Sequence, residues 1–418
     1  MMITPRTAYL GLSAAFCAAA LSFAAPAAQA QEDPKGPPAI TNPPPADGPL
    51  VGRPETAGAQ ALAPVAAPPL ITPVDKLPID KIKLPPGFKV EVFAGGIKDA
   101  RSLRVGDKGT VFVSNWESNK IWAVTEKDGK RSAKVIYEGL DWPNGIALHN
   151  GTLYVAEHTK ISKAENIEAS LDSPPKLVTI YDKLGDPRPH GWRFLGVGPD
   201  EKLYVSNSAP CNICMPDPGF GEIRKMNLDG SGVEVVLRGM RNTVGFDWNP
   251  KTKELYFTDN NRDWFSEDLP NCELNRVTNP GKEHFGFPYC HQGDIADPEF
   301  GWGYSCKDFT PPIAKLGPHA APLGMRFYTG TAFPEKYQGA IFIARHGPWN
   351  RTTKYGADIV VVYLDEKGGF KSMEPFMEGL VQDNKYVGRP VDVSVMKDGS
   401  LLVSDDWNGA VYRVSYAK

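Results

Sequence analysis

The amino-acid sequence predicts an all-β protein, a six-bladed β-propeller whose N-terminal strand closes the last blade. One short phrase returns along the chain: a turn, then apolar β-forming residues, then a polar or charged end. Its six copies lie at 109–115, 151–157, 201–207, 253–259, 339–345 and 399–405. An irregular period of roughly 40–50 residues, with strand-forming residues throughout, is typical of propeller blades.

The N-terminal segment 1–30 has the pattern of a signal peptide. Arg6 precedes an apolar run at 10–25, and Ala28 and Ala30 fit a small-residue cleavage site. The run falls short of the about 20 residues that span a membrane, so we do not expect an integral membrane protein. The pattern predicts export, which in a bacterium means a periplasmic or secreted protein.

The next segment, 31–75, is rich in Pro and Ala and has almost no aliphatic periodicity, which predicts a disordered linker. Residues 76–418 then hold the propeller as a single catalytic domain. The formal net charge of −3 gives no electrostatic reason to expect nucleic acid as a partner. Arginines gathered in a site would therefore be a local feature of that site.

Each repeated phrase follows a second short strand, and the two together are typical of the inner hairpin of a blade. These leading strands begin near residues 100, 143, 190, 241, 322 and 389. Outer strands follow, for example at 120–124 and 134–137. The last blade ends early, at 410–414, and a separate strand at 88–93 precedes the first hairpin. We expect this first strand to complete the last blade, because an unpaired sheet edge invites aggregation.

Five cysteines remain once the signal peptide is removed, and export favours disulfides. Cys290 and Cys306 bracket a loop rich in Gly and Asp and are the preferred pair. The Cys211-x-x-Cys214 motif fits a structural disulfide, a redox pair or half of a metal site, and the disulfide is favoured. Cys272 is then left over.

Chemistry-bearing side chains stand where the leading strands begin. They are Arg101, Asn144, His190, Arg241, Asn242 and Arg389, with a turn at Pro322 in the fifth blade. A propeller points such strand ends at one central channel, so these residues would meet. Clustered arginines are costly unless an anion lies among them, and Arg suits bidentate binding of carboxylates. Neighbouring cations lower the pKa of a histidine, and a neutral His190 would serve as a general base.

Polar residues also stand where the second strands of the hairpins end. They are Asn115, Glu157, Asn207, Asp259, Arg345 and Asp405. The sequence leaves open whether these share a rim with the first set. The longest interval between two phrases, 260–338, predicts the mouth of the site, because long loops in a compact fold are often functional. His319 and His346 are either substrate contacts or ordinary loop histidines.

Several segments, taken in order, resemble one known family. They are His190-Gly191-Trp192-Arg193 with the Gly-Pro-Asp phrase at 198–200, Gly239-Met240-Arg241-Asn242, Glu273-Leu274-Asn275-Arg276, 284–288 and 389–393. Over roughly residues 85–416 the chain resembles the soluble pyrroloquinoline-quinone (PQQ) dependent sugar dehydrogenases, the glucose/sorbosone dehydrogenase family. Segments 143–147 and 345–351 are similar to its sorbosone-dehydrogenase-like branch.

The resemblance implies that His190 is the catalytic base, which takes the proton of the anomeric hydroxyl of a sugar as hydride passes to PQQ. It implies that Arg241 and Asn242 contact PQQ, with Arg241 near the reacting carbonyl oxygen, where a cation stabilises developing negative charge. Arg389 would hold one of the three PQQ carboxylates. Further cofactor contacts are expected from Arg101, Asn144 and Arg345.

The family's calcium-binding turn matches 259–262, which implies Ca²⁺ as a second cofactor. The backbone carbonyls of Asn261 and Arg262 would be protein ligands, and Asp259 is either a further ligand or the cap of the turn. The family usually has Gly-Pro where this chain has Asn261-Arg262. Its cofactor lysine in the fifth blade has no direct match, and Arg345 or Lys354 would replace it.

The sequence therefore predicts an exported quinoprotein dehydrogenase that oxidises C1 of an aldose or aldosone. Its partners would be a small sugar and an electron acceptor such as a quinone, dye or cytochrome. The alternative is a calcium-dependent six-bladed lactonase or other hydrolase, which shares the phrase at 143–145. Such sites use carboxylate and Asn ligands without several arginines, so the arginine count favours the dehydrogenase. A binding propeller without chemistry would leave His190 and the arginines without a shared ligand.

Overall fold

Six antiparallel four-stranded sheets follow one another in the computed structural model, which describes residues 71–186 and 188–417. The expected signal peptide and nearly all of the expected linker lie outside the described residues. Two short 3₁₀ helices precede the first strand, at Val74–Lys76 and Ile79–Lys81. Residues 71–75, which composition assigns to the linker, already contact the propeller, since the Thr72 N–H donates to the Asn408 carbonyl at 2.9 Å.

The first half of the chain forms one separate strand and three blades. The separate strand is β1 (Phe88–Ala94). Blade 1 consists of β2 (Ala100–Val105), β3 (Val111–Asn115), β4 (Lys120–Lys127) and β5 (Lys130–Glu138). Blade 2 consists of β6 (Gly145–His149), β7 (Thr152–Ala156), β8 (Ile161–Ala164) and β9 (Val178–Tyr181), with a 3₁₀ helix at Ile167–Ala169. Blade 3 consists of β10 (Leu195–Val197), β11 (Leu203–Asn207), β12 (Glu222–Met226) and β13 (Glu234–Arg238).

The second half forms blades 4 to 6 and two small inserted hairpins. Blade 4 consists of β14 (Gly245–Trp248), β15 (Leu255–Asp259), β16 (Asn271–Arg276) and β19 (Ala314–Pro318), and its insertion holds β17 (Cys290–His291), β18 (Ile295–Ala296) and a 3₁₀ helix at Cys306–Asp308. Blade 5 consists of β20 (Pro322–Phe327), β21 (Ile341–Arg345), β22 (Asp358–Leu364) and β23 (Phe370–Met377), with a 3₁₀ helix at Glu335–Tyr337. The hairpin of β24 (Val381–Gln382) and β25 (Lys385–Tyr386) leads to blade 6, which holds β26 (Pro390–Val395), β27 (Leu401–Asp405) and β28 (Ala410–Tyr416).

Strand β1 completes blade 6, as the sequence predicts. It pairs antiparallel with β28, from Phe88 opposite Tyr416 to Ala94 opposite Val411. The order of this sheet is β1-β28-β27-β26, so the first strand of the chain is the outermost strand of the last blade. The ring of blades is thereby closed by pairing the two ends of the propeller.

The six repeated phrases are the second strands of the blades, and they are buried along almost their whole length. In β3, for example, all five residues are buried. Neighbouring blades cover both faces of such a strand, which explains why these phrases are apolar without alternation. Packing between blades 3 and 4 illustrates the cover, because Phe194 meets Phe246 with ring centroids 4.8 Å apart.

Inner strands of neighbouring blades contact one another around the central channel, for example β2 with β26 and β14 with β20. The approach is close at Gly245, where an added Cβ would collide with the carbonyl oxygen of Leu323 on the neighbouring inner strand. The strand register also shows whether the polar residues at the ends of second strands share a rim with those at the starts of inner strands, which the sequence left open. Pro322 lies opposite Arg345 and Pro390 opposite Asp405, so inner strands begin at the sheet edge where second strands end. We call this end of the channel the upper mouth.

The third blade departs from the sequence prediction, because its inner strand begins at Leu195 rather than near His190. Residues 190–194 are held instead by side-chain hydrogen bonds. The guanidinium of Arg193 is fully buried and donates to the carbonyl oxygens of His158 and Gly185 at 2.9 Å each. This anchoring leaves His190 on a loop at the upper mouth.

The disulfide prediction is confirmed. Cys290 pairs with Cys306 and Cys211 with Cys214, while Cys272 carries a buried free thiol. The helices in the described part of the chain include none that is long and apolar enough to cross a membrane.

Candidate active site at the upper mouth

Residues at or just before the starts of the inner strands of four blades converge on one apolar floor at the upper mouth. Trp192, Val244, Leu323 and Val391 form a single packed cluster. They belong to blades 3, 4, 5 and 6, and each lies within three residues of a position singled out in the sequence. The predicted convergence of residues that are 200 positions apart is therefore present in the fold.

A wall of indole rings stands beside this floor. Trp116 contacts Trp142 with ring centroids 4.9 Å apart and Trp192 with centroids 5.1 Å apart, and Trp192 lies 6.2 Å from the His190 ring. Gly191 permits this packing, because a Cβ at this position would lie 2.7 Å from the Trp142 ring. The wall places a flat apolar surface next to the imidazole.

The His190 imidazole is buried, and its two nitrogens are in different environments. Nδ1 lies 2.7 Å from the carbonyl oxygen of Ala209, which can only accept, so Nδ1 carries the proton. Nε2 is then the acceptor, and it makes no hydrogen bond within the described residues. Burial and the neighbouring Arg241 cation lower the pKa of His190 to about 3, so the ring is neutral at pH 7.

Arg241 lies beside His190, and Ala209 links the two residues. The Ala209 N–H donates to the Arg241 carbonyl at 2.8 Å, while the Ala209 carbonyl accepts from His190. The Arg241 guanidinium donates from Nε to the Asn212 carbonyl at 2.8 Å and from Nη1 to the Asn260 carbonyl at 3.0 Å. Nη2 donates to Asn212 Oδ1 and to Asp263 Oδ2, both at 2.9 Å. These contacts fix the guanidinium in one orientation.

Carboxylates at the ends of second strands hold the site loops by their backbone. Asp259 accepts the N–H groups of Arg241 and Asn242 at 2.9 and 2.7 Å, and burial raises the pKa of Asp259 to about 6 despite these bonds. Asp405 accepts the Arg389 N–H at 2.9 Å in the same way. The carboxylates at the ends of second strands therefore position the residues at the starts of inner strands.

Arg101 and Asn144 meet in the first two blades. Arg101 Nε donates to Asn144 Oδ1 at 3.0 Å, and Asn144 Nδ2 donates to the Arg193 carbonyl at 3.0 Å, so the Asn144 amide is satisfied by the protein itself. Arg101 also pairs with Asp406 at 2.7 Å. Asn144 thus orients Arg101.

Asp406 lies between three basic side chains. His346 Nε2 lies 2.8 Å from Asp406 Oδ1, and Arg101 binds the other oxygen. Burial alone would raise the pKa of Asp406, but His346, Arg101 and Arg389 hold it well below its usual value. Burial and Arg389 lower the pKa of His346 to about 4, so His346 is neutral at pH 7.

Arg389 is the second cation of this group. It donates to the carbonyl oxygens of His346 at 2.9 Å and Gly347 at 2.6 Å, and it lies over the Tyr386 ring at 4.7 Å. Lys354 lies over the same ring at 6.0 Å. Burial and the nearby Arg389 both lower the pKa of Lys354. The guanidiniums of Arg101 and Arg389 thus lie near the Asp406 carboxylate, while the Lys354 ammonium donates to the Arg351 carbonyl at 2.8 Å.

Arg345, a predicted cofactor ligand, does not join this group. Its guanidinium pairs with Asp358 through Nε at 2.8 Å and Nη2 at 2.5 Å, and it donates to the Leu316 carbonyl at 3.2 Å. It lines a separate cavity with Lys83 and Glu378. The register of β21 places Arg345 at the upper mouth, but its side chain pairs with the adjacent Asp358 at the start of β22.

The three residues of the predicted metal-binding turn, Asp259, Asn261 and Arg262, have different hydrogen-bond environments. Both oxygens of Asp259 accept backbone N–H groups, which fits the role of a turn cap. The Asn261 side chain accepts from His291 at 2.7 Å and donates to Glu273 at 2.9 Å, while its carbonyl makes no hydrogen bond within the described residues. The Arg262 guanidinium is fully buried and pairs with Asp297 and with Glu299, the latter at 3.3 Å.

No group of three or more His, Cys, Asp or Glu side chains among the residues that the structure describes is arranged to hold a metal ion. Several buried polar atoms at the upper mouth do lack a partner there. They are Asn242 Oδ1, Asn260 Oδ1, Trp116 Nε1 and Trp192 Nε1. A buried polar atom without a hydrogen bond is unfavourable, so these atoms are available to hydrogen-bond a water or another polar molecule.

Sequence reasoning missed several members of the site. Asn212 and Asp263 orient Arg241, and Asp406 orients Arg101 and His346. Two signals were available, since Asn212 lies inside the Cys211-x-x-Cys214 motif and Asp406 directly follows the strand end at Asp405. His319 joins the group through Asn350, which also donates to Asp263. This places the 260–338 interval at the site, as expected.

Comparison with known proteins gives one family match and one relative. Residues 299–417 match a family model described as TrAA12-like. A protein of Borreliella burgdorferi described as uncharacterized is 33% identical over 355 residues, which cover 81% of this chain and 91% of that protein.

Solved structures with similar folds include sugar dehydrogenases. The PQQ domain of pyranose dehydrogenase from Coprinopsis cinerea, in its holo form, superposes with a TM-score of 0.69 at 19% identity over 84% of this chain and 99% of that one. A calcium structure of a Trichoderma reesei enzyme of family AA12 gives 0.69 at 18% identity, over 83% and 100% of the two chains. The PQQ-bound aldose sugar dehydrogenase of Streptomyces coelicolor gives 0.58 at 18% identity, over 80% and 99%.

These likenesses confirm the predicted propeller and the resemblance to PQQ-dependent sugar dehydrogenases at the level of the fold. The sorbosone-like branch stays a prediction. The chain belongs to the same family as the Borreliella burgdorferi protein, and it has the fold of the soluble PQQ-dependent aldose and glucose dehydrogenases and of the AA12 domains.

Proposed function

We propose that this protein is a PQQ-dependent dehydrogenase that oxidises C1 of an aldose or aldosone. One observation carries the proposal: a neutral imidazole with an open Nε2 lies at the same channel mouth as three guanidinium groups, those of Arg101, Arg241 and Arg389. A hydrolytic lactonase site has no need for this group of arginines. The similar solved structures that bind PQQ support the same cofactor class.

The described residues fit PQQ by charge and by hydrogen bonding. Arg101 and Arg389 lie near the Asp406 carboxylate and the Lys354 ammonium lies near Arg389, so three cations are available on this side of the mouth to the cofactor's carboxylates. Arg389 Nη1 and Arg101 Nη2 make no hydrogen bond within the described residues, so each has N–H groups to donate. The Asn242 amide oxygen and the Trp192 indole N–H have no partner in the described residues and would form hydrogen bonds with the remaining polar atoms of PQQ.

His190 is the proposed general base. Its Nε2 accepts the proton of the C1 hydroxyl, because Nδ1 already donates to Ala209 and burial keeps the ring neutral. Arg241, held by Asn212 and Asp263, presents a fixed positive charge beside the imidazole, where it stabilises the negative charge that develops. When bound, PQQ would supply the two-electron oxidant that accepts the C1 hydride, so that an aldose leaves as its lactone.

We propose Ca²⁺ as the second cofactor, at the turn 259–262. The open carbonyl of Asn261 and the amide oxygen of Asn260 are neutral oxygen donors of the kind that Ca²⁺ accepts, and the Arg262 carbonyl follows directly in the turn. Asp259 would act by holding the backbone of this region rather than as a ligand. A calcium structure exists for the similar AA12 enzyme.

The proposed setting is the periplasm or the exterior of the cell, and it rests on the N-terminal pattern at 1–30. Electrons would leave to a quinone, a dye or a cytochrome. Fractionation of cells that express the full chain tests the location: the protein should appear in the periplasm or medium and should lack its first residues. A protein that stays in the cytoplasm with these residues intact would contradict the proposed export.

The function is tested by titrating the purified protein with PQQ in the presence of Ca²⁺ and then adding sugars and a redox dye. We expect a saturable change in the PQQ absorbance and sugar-dependent reduction of the dye. His190→Ala should lower kcat by about 10²- to 10⁴-fold, the usual contribution of a general base, while PQQ binding persists. A wild-type protein that gives no spectral change with PQQ would end the proposal.

A further inference from the structure

A second cavity lies at the other end of the channel, which we call the lower mouth. All six inner strands begin at the upper mouth, so their last residues reach the lower one. The cavity has a volume of about 210 Å³, and His149, Val197, Trp248 and Arg326 line it from the ends of four inner strands. It is too small for a drug-sized ligand but several times larger than the roughly 30 Å³ that a water molecule occupies.

Two guanidinium groups lie close together in this cavity. The Cζ atoms of Arg104 and Arg326 lie 5.0 and 5.2 Å from the centroid of one ring, Phe194. Both also approach the same carboxylate oxygen, Asp392 Oδ2, at 3.3 and 3.6 Å. Two positive charges therefore share one oxygen atom, an arrangement in which like charges repel unless another anion lies between them.

The nearby carboxylates are already engaged by the backbone. Asp392 accepts the N–H groups of Leu103 and Val393, both at 2.9 Å. Asp247 accepts those of Trp248 at 2.9 Å and Phe327 at 2.8 Å, and no guanidinium donates to it. Burial also raises the pKa of Asp247, although Arg326 opposes this, and the shift weakens its value as a counter-ion.

Donor groups consequently remain open in the cavity. Arg326 makes one hydrogen bond within the described residues, to the Met325 carbonyl at 2.5 Å. Arg104 donates to the carbonyls of Leu103 and Leu195 and to Asp392, which leaves its Nε without a partner in the described part of the chain. Two guanidinium groups that keep free N–H groups beside one small cavity suit the binding of an oxyanion.

We propose that the lower mouth binds one small oxyanion, of which inorganic phosphate is the probe, between Arg104 and Arg326. The anion bridges blades 1 and 5 across the channel and stabilises the ring of inner strands. This site is separate from the proposed cofactor site and does not depend on the proposed function. The floor of Trp192, Val244 and Leu323 lies between the two mouths.

The test is calorimetric titration and thermal unfolding of the full chain with phosphate, against chloride at equal ionic strength. We expect one phosphate per chain and a rise in Tm of about 2 °C when phosphate is tenfold above its Kd. Arg326→Gln should weaken binding by at least about 10-fold, the value of a lost charge-assisted hydrogen bond. Arg413→Gln, on the outside of blade 6, is the matched control and should bind as the wild type does.

Phosphate could instead bind the arginines of the upper mouth, and Arg389→Gln separates the two cases. Retained binding in Arg389→Gln and lost binding in Arg326→Gln support the proposal, whereas the reverse pattern overturns it. An effect of phosphate no larger than that of chloride also overturns it. If Arg326→Gln does not fold, Arg326→Lys keeps the charge but loses the fork, and unchanged phosphate affinity in that variant would refute the site.

Discussion

The protonation state of His190 follows from two contacts, and it can be measured. Nδ1 donates to Ala209, and the buried ring next to Arg241 has a pKa of about 3 instead of the ordinary 6.5. A base must be neutral to accept a proton, so lowering the pKa extends the active range toward acid. We predict that kcat/KM shows no titration of His190 between about pH 8 and pH 5, and that any smaller loss near pH 6 comes from Asp259, whose raised pKa lies there.

The measurement is the rate of PQQ reduction by sugar in rapid mixing, with circular dichroism to confirm that the protein stays folded at each pH. A tenfold loss per pH unit that begins near 6.5 would mean that the imidazole titrates normally. Arg241→Gln is the informative variant. Removal of the cation should raise the pKa of His190, so the acid limb of the profile should move to higher pH while the overall rate falls.

We predict opposite effects on PQQ binding for substitutions of Lys354 and Arg345. Lys354 lies beside Arg389 over Tyr386, whereas Arg345 is paired with Asp358. We expect Lys354→Met to weaken PQQ binding by about 10- to 100-fold, as loss of one charge-assisted hydrogen bond implies. Fluorescence or absorbance titration of the cofactor-free protein gives the two dissociation constants directly.

Arg345→Gln should leave the PQQ dissociation constant unchanged but lower Tm, because Asp358 loses its partner in a largely buried position. Equal losses of PQQ affinity in Lys354→Met and Arg345→Gln would mean that both cations reach the cofactor. That result would restore the original sequence prediction for Arg345.

At the level of the element, the short loop closed by Cys211 and Cys214 is a support for Arg241. Asn212 lies inside the loop and binds the guanidinium through both its carbonyl and its side chain. The same side chain accepts the Asp263 N–H at 2.8 Å, so the loop also fixes the segment after β15. Misplacement of a reacting group by about 1 Å can cost about 10²-fold in rate.

We therefore predict that reduction of this disulfide lowers kcat by about 10- to 100-fold with a smaller change in PQQ affinity. Asn212→Ala should lower kcat to a similar extent. The assay is dye reduction before and after treatment with a thiol-free reductant. A Cys290→Ser/Cys306→Ser variant is the control, since its remaining disulfide is Cys211–Cys214 and it should keep the full response. No loss of rate in the reduced wild type would show that Arg241 is held without the loop.

Sequence reasoning was most accurate for the second strands, because the same physical requirement recurs in every blade. The apolar phrases predicted the second strands because neighbouring blades cover both faces of each, and the closing role of β1 followed from the incomplete last blade. Start positions of inner strands were less accurate. At blade 3 the buried side chain of Arg193, rather than strand pairing, holds residues 190–194, and no periodicity reveals such an anchor.

Side-chain partners within the site were the least predictable part. The sequence indicated which residues reach the upper mouth, but it did not indicate which of them are captured by neighbours. Arg345 at the end of β21 and Arg389 before β26 both lie at the upper mouth, yet Asp358 pairs with the first while the second keeps open N–H groups. The arginine pair at the lower mouth escaped notice for the same reason, because Arg104 and Arg326 belong to unremarkable strands 222 residues apart.

At the scale of the whole molecule, closure of the ring decides whether the site exists at all. Residues of the site come from all blades, so an open ring would separate Arg101 in blade 1 from Asp406 and Arg389 in blade 6. Strand β1 provides the closure by pairing with β28. It also packs Phe88 against Phe333 and Phe376 at ring centroid distances of 4.7 and 4.9 Å, which ties blade 6 to blade 5.

We predict that a chain beginning at residue 71 folds like the full chain, whereas one beginning at residue 95 does not form a stable propeller. Loss of β1 exposes the edge of β28 and removes Phe88, Val90, Val92 and Phe93 from the core. Burial of a large apolar side chain contributes about 1.5–3 kcal/mol, so four partly or fully buried ones contribute on the order of 5 kcal/mol. That is comparable to the whole net stability of a folded protein, about 5–15 kcal/mol.

Thermal unfolding and size-exclusion chromatography of the two chains give the answer. The shorter chain should lack a cooperative transition or should associate through its free edge, and it should not bind PQQ. Addition of a peptide with the sequence of 86–96 should restore the transition, because an added strand can pair with an open sheet edge. A shorter chain that unfolds cooperatively as a monomer would show that the five remaining blades and β26 to β28 hold the ring together without β1.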